Sequence, residues 1–441
     1  MSDYEQFLAR KRRVWTGAGI DAKQVSLPAA LYPWQQAIVR WALRKGRAAI
    51  FADCGLGKTF MQVAWAQSLG VTTLILAPLC VAEQTVAEAA KLGVRVRYAQ
   101  DHADWLRSRE AITITNYERL HLFQPQHFSA VVLDESSILK AFDGATRNLV
   151  INAFRDTKYR LCCTATPSPN DISELANHAE FLGLMTRPEF LATWFIRIGE
   201  GHRTTTHHGW RMKRHAVEPF YRWMSSWAVA LRSPADLGYD DAAFNLPPLT
   251  IHDAIVDAAP PEGALFHGLA LKGIEGRLAA RRGSLADRVD AAVQLAQRPG
   301  QWIFWCGLNA ESDALAHALP DAVNVQGSDG YAEKVGAVQG FMRGDIRILI
   351  SKPKILGFGL NLQCCHQMAF MGLSDSYETY YQCLRRCWRF GQRRPVDAYV
   401  IVSEAEQVVA ENVRRKEAMA DSLSRALLQH VAAFEREELV A

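Results

Sequence analysis

A short glycine-containing segment early in the chain has the residues and the spacing of a phosphate-binding loop. It reads Ala52-Asp-Cys-Gly-Leu-Gly-Lys-Thr59, follows a short apolar run and precedes a run of helical period from Phe60 to Leu69. Backbone N–H groups of such a turn, at the N-terminus of a helix, bind phosphate oxygens, and the lysine reaches the outer phosphates. Alanine stands at position 52, where the general pattern has glycine. The predicted nucleotide-binding residues of the loop are Gly55, Gly57, Lys58 and Thr59.

Two acidic residues could bind a metal ion and activate water, neither of which the loop does by itself. Asp134 and Glu135 end the apolar run Val131-Val-Leu-Asp-Glu135. The carboxyl ends of parallel strands meet at one edge of a sheet, so these acids are expected beside the loop. Asp134 would hold Mg²⁺ together with Thr59, and Glu135 would polarise the water that attacks a γ-phosphate, because phosphoryl transfer depends on positioning and charge neutralisation. The sequence therefore predicts ATP and Mg²⁺ as cofactors and Lys58 and Glu135 as catalytic residues.

The elements that position these residues show the pattern of parallel sheets covered by helices. Short β-branched or apolar runs alternate with segments of helical period. In the first half of the chain the expected strands are 48–52, 72–77, 111–115, 130–134 and 159–164. In the second half they are 302–306, 346–351, 367–370 and 396–402, with helix-like stretches such as 311–319 between them. The predicted fold class is α/β, with two such domains in tandem.

Five segments follow from this pattern. They are an N-terminal extension (1–30), a first α/β domain (31–185), a helical insertion or linker (186–248), a second α/β domain (249–404) and a C-terminal helix (405–441). The insertion carries Phe220, Trp223, Met224 and Trp227 at helical spacing, which indicates a hydrophobic core more often than a platform for stacked bases. A length of 441 residues agrees with at least two domains.

Composition excludes several classes of protein. The chain is 49% hydrophobic and 22% charged, and no apolar run reaches the length of a membrane helix, so we expect a soluble, cytoplasmic protein with no membrane partner. Nine cysteines include no C-x-x-C, which gives neither a disulfide framework nor zinc-finger spacing. Cys383 and Cys387 are expected to pack or to be free thiols rather than metal ligands.

A net charge of +4 says little about nucleic acid, but basic residues are clustered. One cluster contains Arg211, Lys213, Arg214 and His215, and another contains Arg385, Arg386, Arg389, Arg393 and Arg394. Either cluster suits phosphates if it lies on one face, and the bland alternative is a solvated surface. The two interpretations are equally good for residues 211–215, whereas the arginines from 385 onward have a more specific explanation.

The motifs together resemble those of superfamily-two helicases, and within that group those of Swi/Snf-type translocases and their short phage-encoded relatives. Leu31-Tyr-Pro-Trp-Gln35 is similar to the family's first motif, whose glutamine, here Gln35, lies near the nucleotide. Ala77-Pro78 and Thr115-Asn-Tyr-Glu118 resemble strand-tracking motifs, and Thr164-Ala-Thr-Pro167 resembles the coupling motif. The resemblance covers nearly all of residues 31–404 and implies two RecA-like lobes that close on ATP.

The most specific match lies in the second half. Gly357-Phe-Gly-Leu-Asn-Leu-Gln363 and Gln382-Cys-Leu-Arg-Arg-Cys-Trp-Arg-Phe-Gly-Gln392 favour the Swi/Snf branch over DEAD-box RNA helicases. The resemblance implies that Gly359 and Gln382 bind the nucleotide. It also implies that nucleic acid contacts Pro78, Thr115, Asn116 and Asn361, mainly through phosphates, so binding should tolerate many sequences and weaken with salt.

Gln382, Arg386 and Arg389 lie four and three residues apart on a helix predicted from 376 to 388, which puts them on one face. Two interpretations are open. Arg386 and Arg389 neutralise charge on a γ-phosphate as catalytic residues, or they form a basic stripe that binds DNA phosphates together with their arginine neighbours.

Two features depart from the family pattern. Ser136-Ser137 follows the acidic pair where relatives usually carry a small residue and a histidine, and the insertion is too short for a eukaryotic-style remodeller. A compact bacterial or phage motor fits better.

The expected function is therefore a nucleic-acid-dependent ATPase, a hydrolase acting on acid anhydrides, that translocates on duplex DNA. The alternatives are a strand-separating DNA or RNA helicase, a non-catalytic ATP-binding scaffold, and a motor subunit controlled by a replication, recombination or restriction partner.

Overall fold

The computed structural model describes residues 14–78, 81–140, 144–168, 171–197, 209–256, 281–356, 360–374 and 376–440. The chain divides into two compact units. The first contains Met1–Phe244 together with Met419–Ala441, and the second contains Asn245–Ala418. Among the described residues, no helix combines the length and the apolar character needed to cross a bilayer.

A parallel sheet of seven described strands organises the first unit, in the order β3-β4-β2-β5-β6-β1-β9. Its strands are β1 (Arg47–Ala52), β2 (Thr73–Ala77), β3 (Arg97–Tyr98), β4 (Ile112–Asn116), β5 (Ala130–Asp134), β6 (Tyr159–Thr164) and β9 (Ala228–Leu231). Its helices before β9 are α1 (Pro33–Lys45), α2 (Lys58–Leu69), α3 (Ala82–Lys91), α4 (His102–Ser108), α5 (Ala145–Ala153), α6 (Leu175–Phe181), α7 (Arg187–Trp194) and α8 (Val217–Ser225).

Strands β1, β2 and β5 are buried on both faces of the sheet, which explains why they are largely apolar rather than alternating. Side chains of β1 point alternately to two cores, with Ala49 and Phe51 in one and Ala48 and Ile50 in the other. Because all neighbouring strands of this sheet are parallel, their carboxyl ends lie along one edge.

The second unit contains another parallel sheet, with six described strands in the order β10-β15-β14-β11-β13-β12. The strands are β10 (Leu249–Val256), β11 (Trp302–Cys306), β12 (Val323–Val325), β13 (Ile348–Ser351), β14 (Gln367–Met371) and β15 (Val396–Ser403). The helices are α9 (Leu285–Ala296), α10 (Asn309–Ala318), α11 (Tyr331–Arg343), α12 (Pro353–Leu356), α13 (Tyr377–Cys387) and the first part of α14 (Gln407–Val440). The predicted class, α/β with two mostly parallel sheets in tandem, is confirmed.

The segment predicted as a helical insertion contains strands as well as helices. Helices α7 and α8 flank an antiparallel pair, β7 (Phe195–Arg197) and β8 (Trp210–Met212), and β9 then joins the first sheet beside β1. The helical prediction missed β9 because its four residues follow the aromatic helix directly and contain two alanines. The preference for a core role is confirmed, since Phe220, Trp223, Met224 and Trp227 are all buried.

Buried charges join the strand ends of the second unit to its helices. Arg281 and Arg288 donate to the carboxylate of Glu311, at 2.7 Å and 2.8 Å for the closest pairs, and Arg288 also donates to the carbonyl of Met371. Glu406 lies within 4.0 Å of both guanidinium groups. The side chains of Arg288 and Glu311 are 0% and 1% exposed, so each charge depends on its partners rather than on water.

We expect Arg288→Met to destabilise the second unit by roughly 3–5 kcal/mol, because it leaves the Glu311 carboxylate buried with one cation fewer. The free energy of unfolding in urea measures this. Arg343→Met is the control, since Arg343 pairs with Asp345 at an exposed site, where an ion pair contributes at most about 1 kcal/mol. Equal losses in the two variants would contradict the expectation.

Candidate active site

The phosphate loop adopts the backbone conformation that its glycines allow. Gly55 and Gly57 have φ values of 90° and 72°, in the left-handed region that favours glycine. A Cβ at Gly57 would lie 2.5 Å from Nε2 of Gln35, so a side chain here would displace that carboxamide. Helix α2 begins at Lys58 without a side-chain cap, which leaves first-turn N–H groups for an anion. The loop therefore fits the phosphates of a nucleotide.

Lys58 and Gln35 both hold this loop. The ammonium of Lys58 donates to the carbonyl oxygens of Ala52 and Asp53, at 2.9 Å and 3.3 Å. The carboxamide of Gln35 donates to the carbonyl of Leu56 and accepts from the N–H of Tyr32, both at 3.0 Å. Thr59, in the first turn of α2, is half-buried. The predicted contacts of these residues with a nucleotide and with Mg²⁺ stay predictions.

The acidic pair lies at the carboxyl end of β5, two strands from β1 in the sheet. Gln62 of α2 donates to Oδ1 of Asp134 at 2.7 Å, and the hydroxyl of Tyr117 donates to the carbonyl of Asp134, also at 2.7 Å. Burial and the neighbouring Glu135 raise the pKa of Asp134 to about 6, against the opposing effects of Gln62 and Lys58. The structure thus brings the loop lysine and the acidic pair into one electrostatic site.

Glu135 is distinguished by its backbone. Its φ of 51° lies in the left-handed region, and Arg109 is the other described non-glycine residue with positive φ. The hydroxyl of Thr164 is 3.5 Å from Oε2 of Glu135 and accepts from the N–H of Thr166 at 3.1 Å. Thr164 begins the segment that resembles the coupling motif, so this segment starts in contact with the glutamate.

A magnesium ion at this site would depend on its ligand phosphates. Among the described residues, no group of three His, Cys, Asp or Glu side chains is placed to hold a metal. Mg²⁺ commonly takes one or two protein ligands, several waters and substrate phosphates. The carboxylate of Asp134 and the hydroxyl of Thr59 fit that requirement.

The predicted nucleic-acid contacts in the first unit lie after β2 and at the end of β4. Pro78 is half-buried, whereas Thr115 and Asn116 are buried. The amide of Asn116 donates to Glu118 at 2.7 Å and its oxygen accepts from Tyr98 at 3.3 Å. Contact of these three residues with nucleic acid stays a prediction.

In the second unit, Gln382 and Arg386 lie one turn apart on α13. The guanidinium of Arg386 is buried and donates to both the main-chain and the side-chain oxygen of Gln382 at 2.8 Å, and to the carbonyl of Leu360 at 3.2 Å. Arg389 is partly exposed and donates to the same carbonyl at 3.2 Å. The prediction that all three residues share one helix is wrong, because α13 ends at Cys387 and Trp388 leaves the helical conformation. The shared Leu360 carbonyl nevertheless keeps the two arginines together.

The other basic residues divide into buried and exposed ones. Arg385 is buried and stacks over the rings of Tyr381 and Trp388, so it is not the surface residue that the sequence suggested. Arg393 and Arg394 are exposed. In the other cluster Arg211, Arg214 and His215 are exposed, while the ammonium of Lys213 donates to the carbonyls of Ala192 and Thr193 at the end of α7.

The segment that carries Asn361 packs against the end of α13. The N–H of Leu362 donates to the carbonyl of Arg386 at 2.9 Å, and the amide of Gln392 donates to the carbonyls of Gln363 and Cys365. Oδ1 of Asn361 and Nε2 of Gln382 are buried without a hydrogen-bond partner. Gly359 lies outside the described residues. Residues 360–363 thus pack against the segment 382–392.

Sequence reasoning missed three contacts of the acidic motif. Gln62 lies one helical turn after Lys58, and Tyr117 lies inside the segment Thr115–Glu118, so spacing could have suggested both. The third contact joins the hydroxyl of Ser136 to Nε2 of His178 at 3.1 Å. These residues are 42 positions apart, and no local pattern connects them.

Residues 287–391 match the family described as the helicase conserved C-terminal domain. The matched segment lies in the second unit, begins within α9 and includes Arg386 and Arg389. No curated protein matches the sequence. The domain supports a nucleic-acid motor of the superfamily-two helicase type, with a nucleotide-binding fold.

Proposed function

We propose that this chain is a DNA-stimulated ATPase that translocates on duplex DNA, as Swi/Snf-type motors do. The observation that carries the proposal is the convergence of Lys58, Asp134, Glu135 and Thr164 at one sheet edge, in a chain whose second unit contains a helicase C-terminal domain. A phosphate loop alone would suit many nucleotide-binding proteins, whereas this combination is typical of helicase-type motors.

The first unit has the groups for phosphoryl transfer to water. Backbone N–H groups of the loop and the ammonium of Lys58 would hold the phosphates, and Thr59 and Asp134 would hold Mg²⁺. The metal, when bound, neutralises charge on the transferred phosphate. Glu135 would orient the attacking water and accept its proton, and Thr164 would report the state of that carboxylate to the segment it begins.

The second unit would supply positive charge to the nucleotide that the first unit holds. Arg389, which is partly exposed, is the better candidate for direct contact with a γ-phosphate, and the buried Arg386 would fix the Leu360 carbonyl that both arginines share. Gly359 and Gln382 would complete this part of the nucleotide site. Nucleic acid would contact Pro78, Thr115, Asn116 and Asn361 in this proposal.

Duplex DNA should stimulate ATP hydrolysis, and the stimulation should fall steeply between about 50 and 200 mM salt, because phosphate contacts release condensed counterions. Steady-state turnover with duplex DNA, single-stranded DNA and RNA at several salt concentrations measures this. Stimulation by RNA alone would favour the RNA helicase alternative. Equal turnover with and without every nucleic acid would contradict the proposal of a nucleic-acid motor.

The non-catalytic scaffold is the weaker alternative. A chain that had lost the chemistry would be expected to lack the loop lysine, the glutamate or the distal arginines, and this chain has Lys58, Glu135, Arg386 and Arg389. Whether a replication, recombination or restriction partner controls the motor is a separate question that copurification from a bacterial or phage-infected cell would address.

A further inference from the structure

The residues after Glu135 are fixed from a distant helix. Ser136 begins a short 3₁₀ helix, Ser136–Lys140, and is fully buried. Its hydroxyl is 3.1 Å from Nε2 of His178 on α6 and also contacts the thiol of Cys162 on β6. The next residue of α6, toward its N-terminus, is Asn177, whose amide donates to the carbonyl of Leu139 at 2.7 Å. Helix α6 therefore holds both the beginning and the end of this turn.

His178 occupies a place that packing alone does not explain. It is fully buried, and its ring lies edge-on to Phe51 at 5.3 Å between centroids. Burial lowers its pKa to about 4, so the imidazole is neutral near pH 7. Nδ1 is buried without a hydrogen-bond partner, which carries a desolvation cost. A leucine would fill the space without that cost, so the hydrogen bond to Ser136 distinguishes histidine from an apolar residue here.

The hydrogen-bonded turn lies directly after the one strained residue of the site. Glu135 has a φ of 51°, a conformation that residues with a Cβ rarely adopt unless the surroundings impose it. Asp134 precedes it in a buried strand, and Ser136 follows it in a turn anchored to β6 and α6. The peptide on each side of Glu135 is thus held by a different element.

We propose that His178, through Ser136, is a positioning residue that keeps Glu135 in its left-handed conformation and so aims the glutamate carboxylate at the attacking water. The proposal rests on the proposed function for its catalytic consequence. Its conformational part concerns the folded chain alone and can be tested without turnover.

The catalytic consequence is tested in the full-length chain with Ser136→Ala, His178→Leu and His178→Gln. Ser136→Ala and His178→Leu should lower the kcat of stimulated ATP hydrolysis roughly 10- to 100-fold, since misplacing a catalytic group by about 1 Å has effects of this size. The affinity for a fluorescent ATP analogue should change less than about threefold. His178→Gln should recover part of the kcat, because its carboxamide can still hydrogen-bond the serine hydroxyl.

His102→Leu is the matched control. His102 is also a buried histidine of the first unit, packed between Trp105 and His127, and neither ring nitrogen has a hydrogen-bond partner. Its substitution should leave kcat within about twofold. Equal kcat losses in His178→Leu and His102→Leu, or no advantage of Gln over Leu at position 178, would overturn the positioning role.

The conformational part is tested by comparing Glu135→Gly with Glu135→Ala in thermal unfolding. With His178 present, the glycine variant should melt about 2–4 °C higher, because glycine adopts positive φ without strain and alanine does not. In the His178→Leu background the difference should disappear, since the backbone at position 135 can then relax. If the difference in melting temperature persisted without His178, the hydrogen bond between His178 and Ser136 would not be what imposes the left-handed conformation on Glu135. The melting experiment does not depend on ATP turnover. If the chain failed to hydrolyse ATP, the proposed function would be refuted, but the melting temperatures would still show whether His178 holds Glu135 in its left-handed conformation.

Discussion

Lys58→Ala should reduce ATP turnover by at least roughly 10²-fold while the chain stays folded. Among the described residues, the ammonium of Lys58 donates to the carbonyls of Ala52 and Asp53, within its own loop, so its removal takes no support from the two hydrophobic cores. The positive charge of Lys58 is needed beside the phosphate oxygens of the nucleotide. Steady-state hydrolysis with saturating duplex DNA gives the turnover, and thermal unfolding verifies the fold.

Lys91→Ala is the appropriate control for Lys58→Ala, because Lys91 is an exposed lysine at the end of α3 in the same unit. We expect its turnover and melting temperature to match those of the wild type. Lys58→Arg adds a further distinction, since arginine keeps the charge but has a larger, planar group that does not fit the same loop. Wild-type turnover in Lys58→Ala would refute the nucleotide site.

The strands that carry the candidate site of the first unit could be predicted because they depend on local patterns. The strands predicted at 130–134 and 159–164 have those bounds in the structure, and parallel pairing then places their carboxyl ends at one edge. Lys58 follows β1 through the phosphate loop, and Glu135 directly follows β5. Parallel pairing of β1, β6 and β5 places both residues at the same edge of the sheet, and no knowledge of side-chain packing is needed.

Strands β9 and β10 could not be predicted for two different reasons. The four residues of β9, Ala-Val-Ala-Leu, carry little strand preference, and only pairing with β1 makes them a strand. Strand β10 is an edge strand with several exposed positions, so it lacks the continuous apolar run of a buried strand. Both strands form through contacts with distant segments, which a prediction from local sequence patterns does not include.

The same limit applies to side chains at the site. The four- and three-residue spacing suggested a shared helix face for Gln382, Arg386 and Arg389, but it could not show that α13 ends before Arg389 or that Arg386 is buried. Ser136 and Ser137, which follow the acidic pair, were a departure from the family pattern without an explanation. The hydrogen bond between Ser136 and His178 depends on α6, which packs against this turn in three dimensions.

Arg389→Ala should lower DNA-stimulated turnover by roughly 10³- to 10⁵-fold, the range typical of arginine fingers, with only a modest loss of nucleotide affinity. Lys58, Thr59 and the magnesium on the first unit would still hold ATP. Arg389 is a cleaner probe than Arg386, because Arg386 is buried and donates to Gln382 and Leu360, so its removal also disturbs packing.

Three variants separate the catalytic role of Arg389 from a basic surface that binds DNA phosphates. Arg389→Lys should not restore turnover, because lysine lacks the planar fork that reaches two phosphate oxygens. Arg393→Ala, at an exposed arginine of the same cluster, should weaken DNA binding without a comparable loss of turnover at saturating DNA. Nucleotide affinity, DNA affinity and turnover are measured side by side for the three. Lost DNA binding in Arg389→Ala, together with unchanged DNA-independent turnover, would assign Arg389 to the DNA-binding surface and exclude it from the chemistry.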